Sequence, residues 1–264
     1  MRSMLSSRAA RVALVCVLFG LSTAAAPAVA SADEYVALGD SFSSGVGTGS
    51  YTLSSSCRRG VYAYPWLVSQ QRPNTSLAFV ACSGATTADV MASQIQTVTA
   101  STNIVTMTIG GNDIGFSNLI VQCTLSNCSS ALDATRASLE TFLGPRLDTV
   151  YTAIRSRSLT ASVVVLGYPR LFSSAGCLGT LGITPTERTK ANELAVALDA
   201  LSSDRASDAG LTYQSAITPF TGHAVCSSSA WVNGLNLVRT IESYHPNRNG
   251  NSLGYAPLVR SVVG

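Results

Sequence analysis

The order of apolar and helical segments predicts an α/β protein, folded as a three-layer α/β/α sandwich. Five short apolar runs rich in β-branched residues are typical of buried strands, and they span residues 35–38, 77–80, 104–109, 162–166 and 212–214. Helical stretches separate them, as parallel strands require. Because the runs are apolar throughout, helices are expected on both faces of the sheet. The sequence therefore predicts a flavodoxin-like fold whose central parallel sheet has about five strands.

The best-marked helix lies in the second half of the chain. Thr184 and Glu187 have the spacing of a capping box, in which each side chain accepts a hydrogen bond from the backbone N–H of the other residue. Pro185 stands at the first helical position, where its missing N–H costs nothing. We therefore expect a helix over residues 185–209 that ends at Gly210.

A second helical stretch covers residues 132–157. The Gly144-Pro145 pair lies inside it, and proline both removes a helical hydrogen bond and crowds the preceding turn. This pair predicts two consecutive helices, or one kinked helix, in place of a single straight one. Neither a linker nor an internal repeat is visible in the rest of the chain, which indicates a single domain.

The first 32 residues have the layout of a secretory signal. An apolar stretch over residues 12–26 follows three basic residues, Arg2, Arg8 and Arg11. A membrane anchor would need about 20 apolar residues, and this stretch is shorter. Small residues alternate just after it, so cleavage is expected near Ser31 or Asp33. We therefore predict a signal peptide at residues 1–32 and an exported domain at residues 33–264.

The charge balance argues against nucleic acid as a partner. Removing the signal takes away three of the 17 basic residues and none of the 14 acidic ones, so the mature domain is formally neutral. The longest basic run left is Arg58-Arg59, which is too short to follow a phosphate backbone. The sequence thus predicts a protein that binds no nucleic acid.

Six cysteines remain after the signal is removed, and an even number in an exported protein predicts three disulfides. They are Cys57, Cys82, Cys123, Cys128, Cys177 and Cys226. Spacing alone does not select one pairing. A rival interpretation is a zinc site built from Cys123, Cys128, His223 and Cys226. Their spacing matches no zinc-finger pattern and the expected compartment is oxidising, so we expect no metal and no cofactor.

A serine stands where the first predicted strand ends. Ser41 lies in Gly39-Asp40-Ser41-Phe42-Ser43, directly after the apolar run, so its hydroxyl is expected in a loop over the crevice where α/β proteins bind ligands. A serine becomes a nucleophile only when a base removes its proton. The chain has two histidines, and His245 is preferred because Pro246 restricts its backbone to extended geometry. His223 is expected to be structural.

The third strand ends in Ile109-Gly110-Gly111-Asn112-Asp113, at the same edge of the sheet as Ser41. Such a sequence is often an ordinary turn. At this edge, however, the Asn112 amide would serve as an oxyanion donor, because acyl transfer needs donors fixed before the reaction. Asp113 and Asp40 are expected to order their loops rather than to act as acids or bases.

The three segments around Ser41, Asn112 and His245, together with Gly84 in Ala81-Cys82-Ser83-Gly84-Ala85, resemble the conserved blocks of the SGNH or GDSL hydrolases in order and spacing. The chain is most similar to secreted actinobacterial lipases and phospholipases. The resemblance implies that Ser41 is the nucleophile and His245 the base, with Gly84 and Asn112 in the oxyanion hole. It also implies sequential disulfides, Cys57 with Cys82, Cys123 with Cys128 and Cys177 with Cys226.

Two groups compete to orient His245 through its other ring nitrogen. Glu242 lies three residues upstream, where many members of the family have an aspartate. In some secreted relatives the acceptor is instead a backbone carbonyl two residues before the histidine, here that of Ser243. We favour the Ser243 carbonyl, which makes Ser41 and His245 a dyad. Glu242 is then expected to be a solvated loop acid.

These features predict a secreted serine hydrolase of carboxylic esters, which acts on lipid esters through an acyl-enzyme. A carbohydrate acetylesterase shares the same motifs and is the alternative. A catalytically silent binding protein is disfavoured, because a binding protein does not need all four site residues. The expected partners are a small-molecule or lipid ester and, transiently, a lipid interface, with the protein itself a monomer.

Two other sequence motifs do not change this prediction. The one Gly-x-Ser-x-Gly sequence, Gly250-Asn251-Ser252-Leu253-Gly254, follows none of the predicted strands, so the strand-to-helix nucleophile elbow of the α/β-hydrolases is not predicted. The segment 45–50 resembles a dinucleotide-binding loop, but Ser50 stands where the third glycine belongs. We expect this segment to be a flexible loop beside the active site.

Overall fold

A computed structural model describes residues 32–264, so all of the predicted signal peptide except its last residue lies outside the described residues. No helix among residues 32–264 is long and apolar enough to cross a membrane. Residues 32–264 form one compact unit.

A five-stranded sheet lies at the centre of the domain, and all of its strand pairs are parallel. The strands are β1 (Asp33–Gly39), β2 (Thr75–Phe79), β3 (Ile104–Thr108), β4 (Ser162–Leu166) and β5 (Thr212–Gln214). They lie in the order β2-β1-β3-β4-β5. The predicted fold class is therefore confirmed, and β2 begins and ends slightly earlier than its apolar run suggested.

The strand order indicates where the binding crevice of the sheet lies. The chain leaves β1 toward β2 on one side and returns to β3 on the other, so the order reverses between β1 and β3. In open α/β sheets ligands bind at such a switch point, beyond the carboxyl ends of the strands. β1 runs directly into Ser41, and the segment after β3 carries Asn112.

Helices cover the sheet in two groups. The helices are α1 (Ser41–Ser44), α2 (Tyr64–Gln70), α3 (Thr87–Asp89), α4 (Phe116–Cys123), α5 (Ser129–Phe142), α6 (Gly144–Arg157), α7 (Pro185–Asp208) and α8 (Ala256–Val263). The helix α2 packs with α8, and α5, α6 and α7 pack with one another. Single π-helical turns extend α3 at Val90–Gln94 and precede α8 at Gly250–Tyr255.

The two helix predictions are confirmed in detail. Glu187 accepts a hydrogen bond from the Thr184 N–H at 2.8 Å, and the Thr184 side chain accepts from the Glu187 N–H, which completes the capping box. The stretch around Gly144 is two helices, because α5 ends at Phe142 and α6 begins with Gly144-Pro145. The shorter α2 and α8 had no capping box and were not predicted.

Three disulfides join the six cysteines of the described chain: Cys57–Cys82, Cys123–Cys128 and Cys177–Cys226. These are the sequential pairs that the resemblance implied. Because each sulfur is bonded to another sulfur, none of these cysteines supplies the thiolate that the rival zinc site requires. The Cys57–Cys82 bond anchors the segment that carries Gly84.

Candidate active site

Ser41 lies at the start of a short helix and not in a loop, which corrects the expectation from sequence. Asp40 caps this helix by accepting the N–H of Phe42 at 3.0 Å. The residue before Asp40 must be glycine, because Gly39 has φ +118° and a Cβ at this position would lie 2.4 Å from the Thr108 carbonyl oxygen. The strand therefore turns sharply into the helix and holds the Ser41 hydroxyl above the end of β1.

Asp40 is buried beneath the serine, where it orders the surrounding loops as predicted. Its carboxylate accepts hydrogen bonds from the Thr108 hydroxyl at 2.8 Å and from the phenol of Tyr168. Burial raises the pKa of Asp40 to about 6, although these hydrogen bonds oppose the shift. Tyr168 in turn accepts the N–H of Gly111 at 3.1 Å, so it links the serine turn to the segment that carries Asn112. Tyr168 had no sequence signal.

His245 lies within hydrogen-bond distance of the predicted nucleophile. Its Nε2 is 2.8 Å from Ser41 Oγ, and its Nδ1 is 2.9 Å from the carbonyl oxygen of Ser243. A carbonyl oxygen can only accept, so Nδ1 must carry the proton. Nε2 of the neutral ring is then free to accept the Ser41 proton. The geometry is that of a general base and its serine, held by a backbone carbonyl.

Burial controls the protonation of His245. The ring is buried, and desolvation lowers its pKa to about 4, while the hydrogen bond to Ser243 opposes the shift. A histidine in water has a pKa of about 6.5. The ring is therefore neutral, and able to act as a base, well below neutral pH.

We expect kcat/KM to fall roughly tenfold per pH unit below about 4, because protonation of His245 removes the base, whereas protonation of Asp40 near pH 6 leaves that base in place. The measurement is the pH profile of a soluble ester substrate, with return to neutral pH as the control for unfolding. A tenfold loss per pH unit that already begins near the reference value of about 6.5 would contradict a desolvated base.

Glu242 is not a solvated loop acid, which corrects that expectation. The residue is 6% exposed, and its carboxylate accepts the phenol of Tyr51 at 2.8 Å. It also lies 3.6 Å from the guanidinium of Arg239. The structure thus directs the Glu242 side chain toward Tyr51, while the carbonyl of Ser243 meets the histidine ring.

Replacing Glu242 by glutamine is expected to keep kcat/KM on a soluble ester within about tenfold. The glutamine oxygen can still accept from Tyr51, and the pair with the half-exposed Arg239 contributes about 1 kcal/mol or less. Loss of a true triad acid costs about 10⁴-fold in serine proteases. A thousandfold loss in a folded Glu242→Gln protein would make Glu242 the third catalytic residue.

Asn233 braces the histidine turn and was missed by sequence reasoning. Its backbone N–H donates to the His245 carbonyl at 2.9 Å, and its side-chain amide donates to the carbonyl oxygens of Gly47 at 2.9 Å and Glu242 at 3.3 Å. An asparagine in a loop has many ordinary roles, so nothing in the sequence singled it out.

The glycine-rich segment 45–50 is packed against the site, so the expectation of a flexible loop is wrong. Residues 45–48 are buried, and Gly47 has φ +97°. A Cβ on Gly47 would lie 2.5 Å from the Pro246 carbonyl oxygen and 3.0 Å from the Cβ of His245. The glycine therefore permits the close approach of two backbones behind the histidine.

The two predicted oxyanion donors lie on adjacent segments. Asn112 donates from its amide nitrogen to the Ala85 carbonyl at 2.9 Å, next to Gly84. This bond uses one of the two amide hydrogens and orients the other. Asp113 accepts from the N–H of Thr87 at 3.0 Å, which fastens the same two segments. Ser41, Gly84, Asn112 and His245 all line one cavity of about 300 Å³.

Asn112→Ala is expected to lower kcat by about 10²- to 10³-fold, because it removes one donor to the developing oxyanion. The Michaelis constant should change much less, since the donor matters most in the transition state. Steady-state kinetics on a soluble ester separate the two effects. A change confined to the Michaelis constant would make Asn112 a substrate-binding residue only.

A second cavity of about 240 Å³ adjoins the first, and the two share Ser117, Asn118, Ile241 and His245. Its other lining residues are mostly apolar, and they include Phe42, Phe116, Ile120, Val121 and Leu171. The other histidine does not line either cavity. His223 stacks on Trp231 with ring centroids 3.7 Å apart, and its Nδ1 lies 2.7 Å from the Ser229 carbonyl oxygen, which fits a structural residue.

Comparisons with known proteins identify the family of this chain. The model of the GDSL-like lipase/acylhydrolase family matches residues 37–253. A lipase from Streptomyces rimosus is 42% identical over 250 residues, covering 93% of this chain and 92% of the relative.

Two solved structures are similar over the whole domain. An extracellular lipase from Streptomyces rimosus has a TM-score of 0.83 at 42% identity. Phospholipase A1 from Streptomyces albidoflavus NA297 has a TM-score of 0.84 at 43% identity. Each comparison covers 88% of this chain and 100% of the other. The chain thus belongs to the GDSL-like lipase/acylhydrolase family, and it is a hydrolase of carboxylic esters.

Proposed function

We propose that this protein is a secreted lipase or esterase that cleaves lipid esters through an acyl-enzyme on Ser41. The observation that carries the proposal is the relay from the Ser243 carbonyl through His245 to Ser41, which opens onto a cavity continuous with an apolar one. An ester carbonyl over Ser41 would have room for its acyl chain among apolar side chains.

The chemistry follows from the positions of the polar atoms. Ser41 Oγ attacks the ester carbon while His245 Nε2 takes its proton, and the carbonyl oxygen becomes an oxyanion. The N–H groups of Ser41 and Gly84 and the amide of Asn112 stabilise that charge. His245 then returns the proton to the leaving alcohol. Water, activated by the same histidine, hydrolyses the acyl-enzyme and frees the acid.

Export is the part of the proposal that rests on the sequence and on the disulfides. Residues 1–32 have the composition of a signal peptide, and three disulfides persist only in an oxidising compartment. The Streptomyces rimosus relative is described as extracellular. We infer that the mature domain begins near Ser31 or Asp33 and acts outside the cell as a monomer.

A panel of substrates tests the function. Chromogenic esters with graded acyl chains, a triglyceride, a phosphatidylcholine and an acetylated xylan would be compared by kcat/KM. We expect hydrolysis of the chromogenic esters and a preference for the lipids over acetylated xylan, because the second cavity is apolar. A clear preference for acetylated xylan would favour the carbohydrate acetylesterase instead. No turnover of any ester would refute the proposal.

A further inference from the structure

Three long segments of the sequence that lie near the apolar cavity contain no charged residue. Residues 114–132, 171–186 and 209–238 contain no Asp, Glu, Lys or Arg, although the rest of the mature domain carries 14 acidic and 14 basic residues. Removing a charged side chain from water costs far more free energy than removing an uncharged one. A face built from these segments therefore leaves water at a lower free-energy cost than a charged face does.

The three uncharged segments meet in space. Gly182 packs directly on Thr124, since a Cβ on Gly182 would lie 2.3 Å from the Thr124 carbonyl oxygen. The N–H of Leu235 donates to the Gly179 carbonyl at 2.9 Å. The middle segment thus touches the other two, and they form one continuous face.

This face carries exposed apolar side chains. We call the following six residues the apolar rim: Leu125, Leu178, Leu181, Leu237, Val238 and Ile241. The first five lie on the three segments, and Ile241 lies just beyond the third, two residues after Arg239, whose guanidinium is 3.6 Å from the Glu242 carboxylate. Val238 is 92% exposed, Leu178 is 86% exposed and Leu237 is 77% exposed. A contiguous exposed apolar patch on a soluble domain usually marks an interaction site.

The apolar rim is continuous with the catalytic site. Ile241 lines both cavities, and Val121, which lines the apolar one, is four residues before Leu125, which follows the end of α4. The N–H of Asn236, next to Leu237, donates to Ser243 Oγ at 2.9 Å. The rim therefore adjoins the mouth through which an acyl chain would enter.

We propose that the apolar rim docks the enzyme on the surface of aggregated, uncharged or zwitterionic lipid. This inference rests on the proposed function and names the partner of the same site. The lack of charge in the three segments favours such a surface over an anionic membrane or a charged protein. A second copy of the chain on this face would cover the cavity mouth, whereas a lipid surface delivers substrate to it.

Partition of the enzyme into vesicles of ether-linked phosphatidylcholine tests the proposal, because an ester hydrolase does not cleave the ether bonds of this lipid. Leu237→Ser is expected to weaken partition about tenfold, and Leu237→Ser/Val238→Ser about a hundredfold, since a buried leucine or valine contributes roughly one factor of ten. Leu178→Ser, in a different segment, should act like Leu237→Ser. Partition should not fall as salt is raised, because no ion pair is involved.

The matched control is Leu159→Ser, because Leu159 is also 77% exposed but follows α6, outside the three segments. It should leave partition unchanged. All four variants should hydrolyse a soluble short-chain ester as the unsubstituted enzyme does, which shows that the site is intact.

Equal partition of the Leu237→Ser and Leu159→Ser proteins into the vesicles would overturn the proposed docking surface. Vesicle binding that is abolished by salt would overturn it as well. A dimer that Leu237→Ser dissociates, without affinity for vesicles, would assign the rim to self-association instead. Failure of the unsubstituted enzyme to cleave a soluble ester would refute the proposed function, whereas failure to bind vesicles alone would refute only the docking surface.

Discussion

Ser41→Ala is expected to abolish ester hydrolysis while the protein stays folded. Loss of the serine at a comparable site costs on the order of 10⁶-fold in kcat, because the covalent step has no substitute nucleophile. The hydroxyl lies on the surface of the 300 Å³ cavity, and within residues 32–264 its only close side-chain partner is His245 Nε2, so its removal leaves the core packing unchanged. The measurements are kcat on a soluble ester and the thermal unfolding midpoint.

Labelling with a serine-directed phosphonate gives an independent test of the same residue. We expect one label per molecule, on Ser41, and none in Ser41→Ala. Ser44→Ala is the matched control, because Ser44 lies in the same helical turn but donates only to the Ser41 carbonyl. It should keep its activity and its label. Undiminished turnover by Ser41→Ala would end the proposal that Ser41 is the nucleophile.

His245→Ala is expected to cause a loss of similar size, because without the base the serine keeps its proton at neutral pH. Removal of the serine or of the histidine at a comparable site costs about as much as removal of the whole set. The Ser41→Ala/His245→Ala protein should therefore be no less active than either single variant. Steady-state kinetics of the three proteins on one soluble ester test this non-additivity.

His223→Ala is the control for the histidine, since it removes the other imidazole, which stacks on Trp231 away from both cavities. Most activity should remain, with some loss of thermal stability. Activity lost in His223→Ala but kept in His245→Ala would reverse the assignment of the base.

Much of the fold was predictable because the decisive signals are local. Each strand of the sheet is a short apolar run, and the capping box of Thr184 and Glu187 places the start of α7 within four consecutive residues. The positions of Ser41 and Asn112 were also predicted from local sequence, because a residue just after a parallel strand lies at the carboxyl edge of the sheet. The packed state of the segment 45–50 was missed, because the residues that bury it come from the other end of the chain.

The sequence predicts which residues form the site, whereas the tertiary structure decides which group faces the second ring nitrogen of His245. The sequence by itself determined the fold class and the family. With only two histidines in the chain and a single serine block after the first strand, it also predicted the pair Ser41 and His245, whose side chains lie 2.8 Å apart in the structure. Only the tertiary structure decided what faces each ring nitrogen and each carboxylate. Glu242 is three residues from His245, yet its carboxylate is bound by Tyr51, 191 residues away in sequence. The lowered pKa of His245 likewise comes from burial by distant segments. Side-chain direction and burial are set by packing among residues far apart in the chain, and local sequence carries no record of them.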